Sequence, residues 1–387
     1  MASSTAVADE LPTFKGRAGW EFTDISGLDL AAYESVTAPE PVAGVEPLFG
    51  LESPEALPDG VIVMTIGEAA REHGELLRRH LGTVVTADDV FTMLNDSAGY
   101  RDGSFVYVPS GVVVDQAISL ATVQARSGTL LNQRTLIVLE DGAQAEVWEQ
   151  FLSGSDDVDG VFNTVTELVV GDNSRLRYVC GQSLSERSWI FGAQRAEVGR
   201  DASLDWVALG FGSARGRVRM ETRLGGPGAD ARVTGAYAPH GRQHVDFDTT
   251  QEHAAPNTTS DLAFRGVLQG RSSAVWKGNI IVDPGAQKTD AFQESRNLLI
   301  SKRAHADAIP GLEIQANDVR CTHAAAVAQV DPDQLFYLRS RGLREDVAKR
   351  LVIEGFLSAL VERFEQGPVR EQLAAVLERR LALILAD

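Results

Sequence analysis

From Gly103 onward, for more than two hundred residues, short runs rich in Val, Ile, Leu, Phe and Tyr alternate with corners of Gly, Asp, Asn and Ser. The runs include Phe105-Val106-Tyr107-Val108-Pro109, Leu136-Ile137-Val138-Leu139, Glu167-Leu168-Val169-Val170, Leu204-Asp205-Trp206-Val207 and Gly278-Asn279-Ile280-Ile281-Val282. The corners share one form, a turn residue followed by a small one: Asp141-Gly142-Ala143, Asp172-Asn173-Ser174, Arg200-Asp201-Ala202, Pro227-Gly228-Ala229 and Pro284-Gly285-Ala286. The first four lie about 27 to 31 residues apart, and the last gap is about twice that, as though one corner had lost its signature. A loose period of this size, with no helical stretch between, predicts a stacked β-solenoid in which each rung buries its apolar face against the next. A sandwich or jelly roll also gives short strands between turn residues. Local pairing along one axis handles an unbroken β region of about 220 residues more easily, which favours the solenoid.

The flanks read differently. Residues 1 to about 10 are small and polar and suit a flexible lead. The acidic, proline-spotted segment Ala38 to Asp59 suits a surface connection, and Val61 to Ile66 a short strand. Helical spacing of Ile66, Ala69, Ala70, His73, Leu76 and Leu77 predicts one amphipathic helix over 66–80. A second is expected over 87–95, with Asp88 and Asp89 at its positive end. Beyond Asp331-Pro332, Leu343, Val347, Leu351, Val352, Phe356, Leu360 and Phe364 form an apolar stripe, Gly367-Pro368 breaks it, and Val369, Leu373, Val376, Leu377, Leu381 and Ile384 form another. Two such helices would close one end of the solenoid and cover its strand edges while offering a docking surface. The expected domains are 1–102, 103–330 and 331–387.

Composition excludes several classes. At 44% apolar and 23% charged residues the chain is globular, and no apolar run approaches the roughly 18 to 20 residues that span a bilayer. Met1 to Glu10 lacks the basic and apolar regions of a secretion signal, so a cytoplasmic location is the default and no membrane partner is expected. A formal net charge of -18 repels a phosphate backbone, which argues against a nucleic-acid partner. Cys180 and Cys321 are too few for a disulfide framework, and there is no Cys-x-x-Cys.

The segment from Leu312 to Gly342 holds the best candidate for soft-metal chemistry. Cys321 and His323 stand two apart, so a strand there turns thiol and imidazole to one side. Iron or zinc centres need about four donors, so this pair must borrow ligands from a distant segment or another chain. Cys180 is expected to fill the core, and Cys321 is either a second thiolate donor or inert. His244, Asp246 and His253 are read as structural polar residues. Lys288-Thr289 does not satisfy a phosphate loop, so nucleotide hydrolysis is expected from a partner.

Several motifs resemble the SufB/SufD family of the SUF iron-sulfur cluster assembly system. They are His244-Val245-Asp246 with His253 and Asn257-Thr258-Thr259-Ser260; Trp276-Lys277-Gly278-Asn279-Ile280; Gly285-Ala286-Gln287-Lys288-Thr289-Asp290-Ala291; Asn297-Leu298-Leu299-Ile300-Ser301; Pro310-Gly311-Leu312-Glu313-Ile314; Asn317-Asp318-Val319-Arg320-Cys321-Thr322-His323; and Leu335-Phe336-Tyr337-Leu338-Arg339-Ser340-Arg341-Gly342. The match is dense from His244 to Phe364 and weaker at Trp20 to Asp24 and Gly103 to Pro109. It is more like the SufD branch, because Asn297-Leu298-Leu299-Ile300 stands where SufB usually carries a cysteine-bearing Thr-Gln-Cys-Asp segment. Ala324-Ala325-Ala326 replaces the family's usual Gly-Ala-Thr, a change to the local turn that leaves the imidazole in place.

The resemblance implies a right-handed parallel β-helix between an N-terminal domain and a C-terminal helical domain. It implies a non-catalytic scaffold that pairs with SufB through the β-helix and holds a SufC ATPase on its C-terminal helices, the SufC supplying ATP hydrolysis while this chain binds no nucleotide. A homodimer in isolation would use the same face. His323 would help hold a nascent iron-sulfur cluster shared transiently with SufB, with Cys321 beside it. Candidate docking residues are Leu335, Phe336, Tyr337, Arg339, Arg341, Val347, Leu351 and Phe356, with Phe336-Tyr337-Leu338 anchoring the helices on the solenoid. The competing readings are a β-helix enzyme acting on acidic polysaccharide and a solenoid without cluster chemistry.

Overall fold

The computed structural model describes residues 20–39, 42, 44–51, 54, 56–98 and 102–386; the expected flexible lead lies outside them. The chain is a parallel β-solenoid of about eight turns, each turn giving one strand to each of two sheets. The first sheet comprises β2 (Ile62–Thr65), β3 (Ser104–Val108), β5 (Thr129–Leu139), β7 (Val161–Val170), β9 (Trp189–Val198), β11 (Arg215–Leu224), β13 (His244–His253), β15 (Ser273–Val282) and β17 (His305–Ile314), with β1 (Glu34–Val36) beside β5. The second comprises β4 (Ile118–Gln124), β6 (Gln144–Ser153), β8 (Arg175–Ser183), β10 (Ser203–Gly210), β12 (Asp230–Tyr237), β14 (Thr259–Leu268), β16 (Asp290–Leu299) and β18 (Arg320–Gln329). From β3 onward each strand pairs in parallel with the strand two places away, while β2 pairs antiparallel with β3 and β1 in parallel with β5.

The corners explain the sequence period. Leaving the first sheet after β5, β7, β9, β11, β13 and β15, six successive turns each place one residue in the left-handed region: Gly142 (φ 73°), Asn173 (58°), Asp201 (50°), Gly228 (77°), Asn257 (59°) and Lys288 (64°). Glycine, asparagine and aspartate tolerate that conformation best. Stacked corners bond to one another, as where Gly142 donates its N–H to Asp172 O at 2.8 Å and Lys288 to Asp318 O at 2.7 Å. The next residue, Ala143, Ser174, Ala202, Ala229, Thr258 or Thr289, is buried under the turn, which is why it is small. The corner missing from the sequence pattern is Pro256-Asn257-Thr258. The expected corner Pro284-Gly285-Ala286 is displaced: the equivalent residues are Gln287-Lys288-Thr289, because this connection has seven residues (283–289) where the preceding one has five (254–258).

The interior is apolar and aromatic, with Tyr178 against Trp206 and Tyr237, Phe247, Phe264 and Trp276 in series. Outside, the two sheets differ. The first faces water over β11 and β13 with paired charges such as Arg223 with Glu197 at 2.6 Å and Glu252 at 2.9 Å. The second is apolar on its outer face too, through Val179, Val207, Ala236, Ala263 and Leu298, and is covered by the C-terminal helices. Strands buried on both faces read as continuous apolar runs.

The front segment packs on the first sheet. The helix expected over 66–80 is two, α1 (Ile66–Glu72) and α2 (Gly74–His80), broken at His73, where the backbone leaves helical geometry ahead of Gly74. The second expected helix is α3 (Val90–Ala98), its first turn held by Asp89, whose Oδ1 accepts from the N–H groups of Phe91 and Thr92 at 2.9 Å. Buried Glu167 accepts from the backbone of Gly82 and Val84 and from Arg134, fastening this segment to the solenoid.

The C-terminal helices are α4 (Pro332–Ser340), α5 (Glu345–Val361) and α6 (Pro368–Ala386). They do not close the solenoid end. Ile353, Leu357, Leu360 and Phe364 of the α5 region, with Val369, Leu373, Val376, Leu377, Leu381 and Ile384, lie flat on the second sheet's outer face. Arg232 and Arg363 lock the contact, Arg232 donating to Arg363 O at 2.8 Å and Arg363 pairing with Asp261 at 3.2 Å.

Candidate functional site

Because the helices go elsewhere, the last rung is open. β17 pairs only with β15 and β18 only with β16, so among the described residues no strand meets their outer edges. Interior positions that every earlier rung buries are uncovered here: Leu312 and Ile314 on β17 and Val327 on β18 are exposed.

Cys321 and His323 lie within this opening. Their ladder partners on β16 are Ala291 and Gln293, both buried inside the solenoid, so the period of two turns both side chains to the interior side. Cys321 is half-buried against the cluster formed by Ile280, Val282, Ala286, Ala291 and Ala316, and burial, with the charge of Asp290, pushes its thiol pKa up. His323 is exposed and its ring has no hydrogen-bond or ion-pair partner among the described residues. Beneath it, Gln293 Nε2 donates to Gly311 O at 3.0 Å and Gly278 O at 3.2 Å, while its buried Oε1 has no partner. The three alanines after His323 continue the strand, so no turn follows the imidazole.

The two free edges are not equivalent. Arg320 donates its N–H to Thr289 O at 2.8 Å, so the even-numbered residues of β18 bond to β16 and Cys321, His323, Ala325 and Val327 direct their backbone groups outward. On β17, His305 donates to Ser272 O at 3.0 Å, so the even residues face outward, and Pro310 is one of them. Proline is tolerated where its missing N–H would face solvent, and it blunts that edge against a further strand. β18 carries no proline and presents an unobstructed row of donors and acceptors. Sequence reasoning missed Pro310 and Gln293; the proline inside a strand-like run was the available signal.

Among the described residues, no three His, Cys, Asp or Glu side chains gather as a metal cage. Thiol and imidazole suit iron, but the remaining donors are not on this chain's described residues.

The docking candidates divide. Phe336 is 74% exposed and Tyr337 57%, so they do not anchor α4 on the solenoid; the half-buried Leu335 and Leu338 face inward. Val347 and Leu351 are likewise exposed, at 45% and 49%, while Ala348, Ile353 and Leu357 bury the helix. The sequence stripe therefore includes the outer face of α5 as well as the inner one. Phe356 is half-buried, its ring 5.8 Å from the Arg265 guanidinium. Arg339 and Arg341 are exposed, and Arg341 lies over the Tyr337 ring at 5.2 Å. A groove of about 570 Å³ links these elements to the open rung, lined by Tyr337, Leu351 and Phe356 and by Gln329 at the end of β18.

The other polar candidates have structural partners. His253 is fully buried between Thr258 at 2.8 Å and Ser260 at 2.9 Å, and burial lowers its pKa to about 4. Asp246 accepts from Thr23 Oγ1 at 2.6 Å. Cys180 is buried in the core, and Lys288 pairs with Asp318 across the corner.

A family model described as the SUF system FeS cluster assembly SufBD core domain matches residues 121–356, and one for the SufBD protein N-terminal region matches 48–120. The iron-sulfur cluster assembly protein SufD of Bacillus subtilis (strain 168) is 34% identical over 332 residues, spanning 85% of this chain and 76% of that protein. This chain belongs to the SufBD family of iron-sulfur cluster assembly proteins. A SufBD family protein of Mycobacterium tuberculosis is 30% identical over 348 residues, 87% of this chain and 86% of that one. The SufBD core match takes in the open rung and the docking candidates as far as Phe356. Membership of a cluster-assembly family displaces the polysaccharide reading. No helix among the described residues is long and apolar enough to cross a membrane.

Proposed function

We propose that this chain is the SufD-type scaffold of the SUF system, pairing through its open last rung with a SufB-type subunit and docking a SufC-type ATPase on α4 and α5. The observation that carries the reading is the rung itself: an unpaired β18 edge presenting Cys321 and His323 at an uncovered solenoid mouth. An added strand would satisfy that edge by backbone hydrogen bonds, as strand addition does elsewhere. His323 offers a nascent cluster an unpartnered imidazole, with Cys321 behind it, and the pairing subunit supplies the remaining donors. The cluster is cargo, and this chain acts as a non-catalytic scaffold that leaves ATP hydrolysis to the SufC-type ATPase. The exposed pair Val347 and Leu351, with Phe336 and Tyr337, offers the ATPase an apolar patch. α4 begins three residues after β18 ends, so force applied to α4 acts directly on the strand that carries His323. The same reading places the work in a reducing cytoplasm, where two unpaired cysteines remain thiols. Co-expression with SufB-type and SufC-type partners tests it: recovery of a three-component complex supports the reading, and recovery of neither partner overturns it.

A further inference from the structure

Two sequence motifs with no part in the scaffold reading, Trp20 to Asp24 and His244-Val245-Asp246, meet on the opposite corner of the solenoid. Thr23 bridges them, donating to Asp246 Oδ2 at 2.6 Å and lying 3.4 Å from His244 Nε2. Arg217 packs 4.9 Å from the Trp20 ring, and Arg215 Nη1 donates to Asp24 O at 3.2 Å. The contact leaves a cleft of about 400 Å³.

Its lining is basic. Arg215, His244 and Ser273 stand in register on β11, β13 and β15. Arg242 and Arg271 each lie two residues ahead of their strands, at equivalent places in successive corners whose backbones are bonded, Arg271 donating its N–H to Gly241 O at 2.7 Å, so their backbones stand about one strand spacing apart. Both are exposed, and neither guanidinium has a partner among the described residues. Among the described residues that line the cleft the one carboxylate is Asp24, which also accepts the Ser26 N–H at 3.0 Å. Three guanidiniums against one carboxylate is a strong local excess of positive charge on a chain of net charge -18. His244 is neutral, because burial and Arg215 lower its pKa to about 4, and its Nδ1 lies 2.8 Å from Ser273 Oγ. Phe22, 38% exposed, sets an aromatic face at the rim.

Planar guanidiniums recognise phosphate oxygens in pairs, and two arginine side chains rooted one strand spacing apart can reach adjacent phosphates. We propose that this cleft binds a small ligand carrying a diphosphate group, Arg242 and Arg271 holding the phosphates and Phe22 any attached ring. Binding here requires no phosphate loop and involves no hydrolysis, and it is read on the isolated chain, independently of partner assembly.

Isothermal titration calorimetry with inorganic pyrophosphate and, separately, with ADP tests the proposal. Saturable binding with a Kd below about 1 mM is expected, weakened about tenfold or more by R242Q/R271Q. R175Q, at an exposed arginine starting β8 on the other corner, should change it by less than about twofold. Phe22→Ala should weaken ADP alone if a nucleotide is the source of the diphosphate, and neither ligand differentially if free pyrophosphate is. Absence of saturable binding for both ligands, or an equal loss in R175Q, overturns the proposal. Should the double variant fail to fold, the single substitutions R242Q and R271Q carry the same comparison.

Discussion

Proline at two neighbouring positions of β18 should have opposite consequences. The Ala324 N–H points at β16, and the Ala325 N–H points away from the solenoid, by the alternation that Arg320 fixes. Ala324→Pro removes a ladder bond and strands the acceptor on β16, a cost of about 2 to 4 kcal/mol when the lost bond and the unsatisfied carbonyl are combined. Ala325→Pro removes a donor without a partner, and Ala324 before it is already extended, so the isolated chain should lose less than about 1 kcal/mol. Rungs of a solenoid open locally, so the readout is amide exchange over β16 and β18 and not a global melt. Ala324→Pro should speed exchange there by about 30-fold to 1,000-fold, and Ala325→Pro by less than about fivefold. Against a SufB-type partner the outcome changes: Ala325→Pro wedges a ring into the pairing edge and should weaken association by tenfold or more, about 1.4 kcal/mol. Equal exchange in the two variants would refute the assignment of the free edge. Normal partner binding by Ala325→Pro would refute pairing through β18.

On the outer face of α5, Leu351→Glu should leave stability within about 0.5 kcal/mol and weaken binding of the SufC-type ATPase at least tenfold, by pull-down or calorimetry. Ile353→Ala, on the buried face of that helix, should cost about 2 to 5 kcal/mol in urea unfolding. The buried His253 ring gains its proton in the unfolded chain near pH 6.5 but in the folded chain only near pH 4, so stability is full above pH 6.5 and falls through that window as the unfolded state takes up the proton. The contribution is of the order of 3 kcal/mol, and urea titrations from pH 7 to 4 should show a shallower decline in His253→Gln than in wild type.

The solenoid was legible because its corners demand a left-handed residue followed by a small one, and Gly142-Ala143, Asn173-Ser174 and Asp201-Ala202 supply both. Lys288 hid its corner, since nothing about lysine signals that conformation and two extra residues shifted the frame. The shared face of Cys321 and His323 followed from strand alternation alone. That the face lies open did not, because it depends on where α5 and α6 dock. The α5 sequence is apolar on both sides, with Val347 and Leu351 outside and Ile353 and Leu357 inside, so hydrophobicity could not choose the buried face. It is the second sheet, apolar on its outer surface at Val207 and Ala263, that decides it. The cleft between Thr23 and His244 joins segments 221 residues apart, which no local pattern reveals.

The most direct test of the scaffold account is anaerobic cluster reconstitution on the complex of this chain with its SufB-type and SufC-type partners, comparing wild type with His323→Ala by visible absorbance and bound iron. The account predicts that both complexes assemble in the same proportions and that only the wild type builds the cluster. A His323→Ala complex that loads iron and sulfide as the wild type does would contradict the role given to the open rung.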